Sequence, residues 1–316
     1  KRFADAANLK VDLSYSRVLL EIEQPYWNHN SGIPVFGPDG YLYLSTGDGG
    51  DANDPHDFSQ NTFSLLGKVL RLDVNRKTGA LEYGIPKDNP FVGKPGHKAE
   101  IWALGLRNPW MIHWDFPSKT LYCADVGQHQ KEEVNLIAKG GNYGWSFREG
   151  SGRFALKNKK EPEATQFIDP IFEYDHSHGT SISGGFVYHG DSLRKLRGHY
   201  LFGDWGTGKC WGVKFQDGKV FSEKNILISQ SGELLNAGFR LWSVMESIQS
   251  LWTGALACRQ HRSRSRSFGQ PLRSFKCRWA NPLSAASTGG DSKRKPSPQP
   301  SIGITAWPCS RFRKPL

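Results

Sequence analysis

Short apolar runs broken by turn residues fill the chain up to residue 238. Arg17 to Ile22, Tyr41 to Ser45, Lys68 to Val74, Gly185 to Tyr188 and Trp211 to Phe215 are such runs, each bounded by Gly, Pro, Asn or Asp. Turn-forming clusters lie between them: Gly37-Pro38-Asp39-Gly40, Lys139-Gly140-Gly141-Asn142 and Gln216-Asp217-Gly218. No 3.6-residue period persists, so the pattern predicts strands and hairpins rather than helices. Aromatic residues are frequent, with 11 Trp, and large flat side chains suit sheets packed face to face.

One strand recurs. It is a Leu-aromatic pair followed within a few residues by an Asp/Gly turn: Tyr41 to Gly50, Thr120 to Gly127 and His199 to Gly206. Its aspartates, Asp48, Asp125 and Asp204, stand 77 and 79 residues apart. A near-fixed period of strands predicts a repeat architecture. With no helical pattern beside them, the fold class is all-β and the expected architecture is a β-propeller.

The pattern breaks after residue 238. Residues 239–316 carry 14 Lys/Arg against 2 Asp/Glu, while the rest carries 27 against 28. The net charge of +11 therefore belongs to the tail, and the neutral body gives no reason to expect a nucleic-acid-binding surface. All ten Tyr precede residue 239, and three of the five Cys follow it. Arg262-Ser263-Arg264-Ser265-Arg266-Ser267 is low complexity, and Asn281-Pro282-Leu283-Ser284 stands where a fourth repeat is due. The expected division is thus a β-propeller portion at 1–238 and a basic tail at 239–316. The tail reads as a disordered arm or as non-native sequence from a shifted frame. Cys123 and Cys210 lie inside repeats and read as packed thiols, not a disulfide framework. The chain holds no 18-residue apolar run, so no membrane span is expected.

Five segments carry candidate chemistry. His29, in Trp27-Asn28-His29-Asn30-Ser31-Gly32, is either a general base held by Asp48 one hairpin away or a turn histidine capping backbone. Arg107 and Asn108, before Pro109, are placed either to grip an anionic oxygen or to stack on a tryptophan. Gly127, in Asp125-Val126-Gly127-Gln128, allows unusual backbone angles that could turn carbonyls toward calcium; a tight turn beside an acidic patch is the alternative. The acidic stretch Asp48 to Asp57 lacks EF-hand spacing and reads as a polar loop. In Tyr174 to Gly185, His176 and His178 at i, i+2 would share one strand face as metal ligands, but with no third ligand nearby the segment reads as a pocket-lining loop.

In this order, Asn28-His29-Asn30, Phe36-Gly37-Pro38-Asp39-Gly40, Gly105-Leu106-Arg107-Asn108-Pro109 and Gly140-Gly141-Asn142-Tyr143-Gly144-Trp145 resemble the glucose/sorbosone dehydrogenase family. The resemblance runs from about Val18 to Phe215. It implies a six-bladed propeller that uses pyrroloquinoline quinone (PQQ) and calcium to oxidise a sugar. By it, His29 matches the base that deprotonates the anomeric hydroxyl and Asp48 its carboxylate partner. Arg107, Asn108 and, in a looser alignment, Thr180 match cofactor contacts. Gly127 and Gln128 match the residues whose carbonyls hold calcium. It further implies an external electron acceptor such as a cytochrome, and a periplasmic or secreted location.

Departures accompany the match. Ser31-Gly32 stands where the family has Gly-Gly, and Gln128 where some members have proline. The body holds about three repeats where a closed six-bladed ring needs about twice as many, so the chain reads as a fragment with little or no PQQ binding. A non-catalytic propeller that binds a protein or a carbohydrate is the competing expectation.

Overall fold

The computed structural model describes residues 16–154, 160–216, 219–226, 273–280 and 302–306. Its strands belong to two compact units, Gln24–Glu246 and a second drawn from Lys1–Glu23 with Ser247–Leu316. Strand β1 (Ser16–Gln24) is the first among the described residues. Among the described residues the larger unit contains three four-stranded sheets.

Sheet A is formed by β2 (Pro34–Phe36), β3 (Leu42–Thr46), β4 (Lys68–Leu72) and β5 (Ile101–Leu104) in that order. Sheet B is formed by β6 (Pro109–Asp115), β7 (Thr120–Asp125), β8 (Lys131–Leu136) and β11 (Phe172–Asp175) in that order, while β9 (Arg148–Glu149) and β10 (Gly152–Arg153), which lie between β8 and β11 in the chain, pair as a separate two-stranded hairpin. Sheet C is β12 (Ile182–Val187), β13 (Tyr200–Asp204), β14 (Cys210–Gln216) and β15 (Lys219–Ile226). All neighbours in these sheets pair antiparallel. In the smaller unit β16 (Arg273–Ala280) lies between β1 and β17 (Ile302–Ala306), and β16 and β17 run parallel. No α-helix occurs among the described residues. The division expected at 238–239, the Arg/Ser run and Asn281 to Ser284 lie outside the described residues.

The recurring strand has a fixed place: it is the second strand of each sheet, β3 in A, β7 in B and β13 in C. Successive side chains on a strand point to opposite faces, and β7 uses both. Leu121 and Cys123 pack with Tyr43, Val69, Ala103 and Ile112 on the sheet A side. Tyr122 and Ala124 pack with Tyr200, Phe202, Trp211 and Val213 on the sheet C side. A sheet covered on both faces buries nearly every position, hence the apolar run in place of a strict alternation. Tyr122 stacks on Tyr200 at 4.6 Å, a contact contributing about 1 kcal/mol beyond area burial. Cys123 is buried, and both it and Cys210 are free thiols.

Candidate active site

Each recurring strand delivers a buried aspartate to the same end of its sheet, where it satisfies the loop that leads into the sheet's first strand. Asp125 accepts the backbone N–H groups of Arg107 (2.9 Å) and Asn108 (2.6 Å), just before β6. Asp204 accepts the N–H of Ser181 (2.7 Å), just before β12, together with the Tyr174 hydroxyl. Asp48 takes a side chain instead. Its Oδ1 lies 2.7 Å from His29 Nδ1. The Asp48 side chain is fully buried and that of His29 is 9% exposed. His29 sits at φ 50°, in the left-handed region, and its carbonyl lies so close to Gly47 that a Cβ there would fall 1.9 Å from it. With Nδ1 engaged, Nε2 is the ring nitrogen left for another partner.

The second Asp48 oxygen, Oδ2, accepts the indole N–H of Trp145 at 2.9 Å. The Trp145 ring lies beneath the Arg107 guanidinium, 5.4 Å from its centroid. Of the two readings of Arg107, the stacking on a tryptophan is the one seen here, and the tryptophan is Trp145. The Arg107 carbonyl also accepts the Asp48 N–H at 2.8 Å. Burial pulls the guanidinium below the usual arginine range, while the carboxylates of Asp48, Asp125, Glu149 and Glu132 act in the opposite direction. Arg107 Nε and Asn108 Oδ1 are buried without a hydrogen-bond partner. Leaving such atoms unsatisfied is costly; the spare Arg107 N–H suits an anionic group such as a PQQ carboxylate, whereas Asn108 Oδ1 is an acceptor and suits a donor.

The turn at Gly127 is built differently from the sequence expectation. Gly127 does not occupy the left-handed region. It must lack a side chain because a Cβ would lie 1.7 Å from the Lys131 carbonyl. Glu149 gathers the turn: its Oε1 accepts the N–H groups of Gln128 (2.6 Å), His129 (2.7 Å) and Gln130 (2.9 Å). The Gly127 and Val126 carbonyls both accept Arg107 Nη1 at 2.7 Å. Gln128 spends its side chain on Asn53. As placed, this pair of residues does not fit a calcium ion, because a guanidinium already holds the Gly127 carbonyl and like charges repel at such range. Among the described residues no group of three His, Cys, Asp or Glu side chains could hold a metal.

Thr180 is exposed in the loop before β12, and Gly206 packs closely against its hydroxyl. No hydrogen bond joins it to the His29, Asp48 and Arg107 cluster. His176 and His178 lie past the end of β11 and separate: His176 Nε2 meets Glu132 Oε1 at 2.9 Å, and His178 Nδ1 meets Asp175 Oδ1 at 2.9 Å. They make no shared metal face, since the strand geometry that would align them has already ended. The Asp48 to Asp57 stretch is a turn-rich loop, with Asp51, Asn53, Asp54 and Asp57 all at positive φ.

Sequence reasoning gave no role to Trp145, Glu149 or Glu132. The only signal for Trp145 was its place at the end of the Gly140 to Trp145 motif. Glu149 and Glu132 carried none, because their partners are backbone groups and a histidine set by the chain's path.

The chain is similar to several known proteins over part of its length. HIPL1 protein of Arabidopsis thaliana is 42% identical over 211 residues, covering 60% of this chain and 30% of that protein. Hedgehog-interacting protein of Homo sapiens is 32% identical over 203 residues, covering 62% and 26%. Quinoprotein glucose dehydrogenase B of Acinetobacter calcoaceticus is 37% identical over 134 residues, covering 37% and 26%. This chain therefore spans under a third of the length of these relatives. The apo-form crystal structure of the soluble aldose sugar dehydrogenase from Escherichia coli matches with a TM-score of 0.52 at 25% identity, over 64% of this chain and 56% of that one. No helix among the described residues is long and apolar enough to cross a membrane. The profile of the glucose/sorbosone dehydrogenase family matches residues 4–235, and the chain belongs to that family.

Proposed function

We propose that the three sheets are blades of a quinoprotein-type propeller, and that the His29, Asp48 and Arg107 cluster is the reaction site of a PQQ-dependent sugar dehydrogenase. The observation that carries this reading is the 2.7 Å contact between His29 Nδ1 and a fully buried Asp48 carboxylate, which leaves Nε2 to act as base. His29 Nε2 takes the proton of an aldose anomeric hydroxyl, and Asp48 orients the ring and stabilises the imidazolium. A bound PQQ supplies the quinone carbonyl that accepts the hydride, giving the lactone. Arg107 would hold one of its anionic oxygens through the buried Nε–H that now lacks a partner, while Asn108 Oδ1, an acceptor, would face a donor group of the cofactor. Thr180 stays in the proposal as a hydroxyl at the sheet C end. Calcium at Gly127 and Gln128 has no part in it while Arg107 holds that carbonyl. An external acceptor such as a cytochrome and a periplasmic or secreted setting follow from the family resemblance.

The test is dye-coupled glucose oxidation by the purified chain with added PQQ, with and without calcium. Turnover that falls at least a hundredfold in His29→Ala supports the reading. PQQ-dependent turnover that is equal in His29→Ala and the parent chain overturns it, and robust turnover by the parent overturns the expectation that the chain is a fragment that binds PQQ poorly. A second reading, a propeller that binds a protein or a carbohydrate without redox work, is favoured by the similarity to Hedgehog-interacting protein and by the Arg107 grip on Gly127. Under it, His29→Ala leaves partner binding unchanged.

A further inference from the structure

Trp145 is 3% exposed and is fixed on every side. Its N–H donates to the Gly105 carbonyl at 3.0 Å, and its carbonyl accepts Gln60 Nε2 at 2.7 Å. Its ring packs on Phe154 at 4.7 Å. The indole N–H is thereby aimed at Asp48 Oδ2 from 97 positions away. On the other oxygen, Oδ1, the carboxylate meets His29 Nδ1 and the Gly50 N–H (3.0 Å). A carboxylate is free to turn about its last side-chain bond, which would swing Oδ1 off the imidazole. A donor on Oδ2 from a rigid ring removes that freedom.

We propose that Trp145 is the positioning residue of the His29–Asp48 couple, locking the carboxylate plane so that one His29 tautomer, Nδ1–H with Nε2 bare, is held in place. The same ring supports Arg107, so a single side chain sets the spacing between the base and the anion-gripping group. This rests on the proposed function for what the couple does. The arrangement and its test stand without turnover. Other charged groups facing the couple are Arg107 and, behind it, Asp125. Neither is altered in the variants below.

Nuclear magnetic resonance of the full chain tests the proposal with no cofactor added. The parent chain should show a slowly exchanging His29 Nδ1–H proton. In Trp145→Phe, which keeps an aromatic ring but loses the donor, that proton should exchange with water at least about tenfold faster, consistent with the roughly 1.4 kcal/mol that a tenfold change represents. Phe154→Leu, which disturbs packing on the ring but keeps the donor, should leave the proton protected. The reverse experiment needs no Trp145 substitution, so it holds even where Trp145→Phe does not fold. In His29→Ala the Asp48 carboxylate loses one donor and should bind the other more strongly, moving the Trp145 indole proton downfield. An unchanged His29 proton in folded Trp145→Phe, or an unmoved indole proton in His29→Ala, overturns the proposal. A chain with the expected spectra whose sugar oxidation is unchanged by His29→Ala overturns the dehydrogenase reading alone.

Discussion

Asn53 and Gln128 clasp each other's amides across 75 positions. The Asn53 N–H donates to Gln128 Oε1 at 2.7 Å, and Gln128 Nε2 donates back to Asn53 Oδ1 at 2.7 Å. Two residues earlier, the Asp51 N–H donates to Asn28 Oδ1 at 3.0 Å. The loop from Gly49 to Asp57 is therefore tied to the His29 segment on one side and to the Gly127 turn on the other. The glutamine that replaces a family proline has its own task here, one that uses the side chain.

Removing the clasp should loosen that loop. Gln128→Ala loses both bonds and should lower stability by about 1–2 kcal/mol in urea unfolding. Hydrogen exchange at the Asn53 amide should rise by about an order of magnitude. Equal stability and exchange in variant and parent would falsify the clasp as a structural tie.

The three repeat aspartates should part company under the same substitution. Asp204 accepts from Tyr174, Ser181 and both donors of Thr207, and Asp125 from two backbone groups. Asp204→Ala and Asp125→Ala leave buried donors unpaired and should each cost on the order of 3 kcal/mol. Asp48→Asn keeps the shape and the acceptor toward Trp145 but turns an NH2 toward His29 and Gly50, so its main effect should be the loss of His29 Nδ1–H protection, and of turnover where turnover exists. Thermal unfolding measured beside the His29 proton signal separates the two classes.

Stability should fall as the pH rises from about 5 to about 8. Burial pushes the Glu132 carboxyl up to about 8, and raises Asp125 and Glu133, which face each other across β7 and β8. A carboxyl whose folded value lies above its unfolded one stabilises fully below the unfolded value, and that contribution is lost as the pH climbs through the folded one. Thermal melts at steps from pH 4.5 to 8.5 should show the decline, and Glu132→Gln should flatten it. A melting temperature that rises steadily over this range contradicts the assignment.

Lys68 is fully buried, and its Nζ donates to the carbonyls of Phe58 (2.7 Å), Ser59 (3.0 Å) and Leu66 (2.6 Å). Ser59 in turn bonds Leu106, the residue before Arg107. Lys68→Met strands three acceptors and should cost on the order of 3 kcal/mol by urea unfolding. Burial pulls the ammonium down to about 7, below its unfolded value, so this residue's penalty eases as the pH rises from about 7 toward 10. Lys68→Met should abolish that alkaline gain.

Arg107 holds the Gly127 carbonyl, so calcium added to the cofactor-free chain should leave its melting temperature unchanged. Binding to the folded state would raise it in proportion to the logarithm of the calcium concentration. A rise at millimolar calcium, with magnesium as control, would show that the guanidinium yields the site.

Much of the fold was legible because strands and turns are local. Tyr41 to Ser45 and Trp211 to Phe215 declare themselves by apolar content and by the Gly, Pro and Asp residues around them. The recurring aspartates marked the second strand of each sheet because a repeat forces the same residue into the same place. The His29–Asp48 couple was one of two readings of its segment, and the family resemblance pointed to it; one hairpin separates the two residues, so their meeting needs little beyond the turn. Gly127 was the instructive miss. The sequence suggested glycine for unusual angles, whereas the glycine answers the approach of the Lys131 carbonyl, which depends on how the turn closes on Glu149.

By itself, then, the sequence determined the all-β class, the repeat, the family motifs and the candidate base with its carboxylate. The first two follow from periodicity and turn chemistry, and the candidate couple from the motifs that resemble the family. Tertiary structure alone decided that Trp145 reaches Asp48 from 97 positions away, that Gln128 clasps Asn53, and that Arg107 takes the carbonyl expected to serve calcium. Those contacts join loops from different sheets. A hydrogen bond between such loops leaves no period in the sequence, because its geometry is fixed only once the sheets have packed.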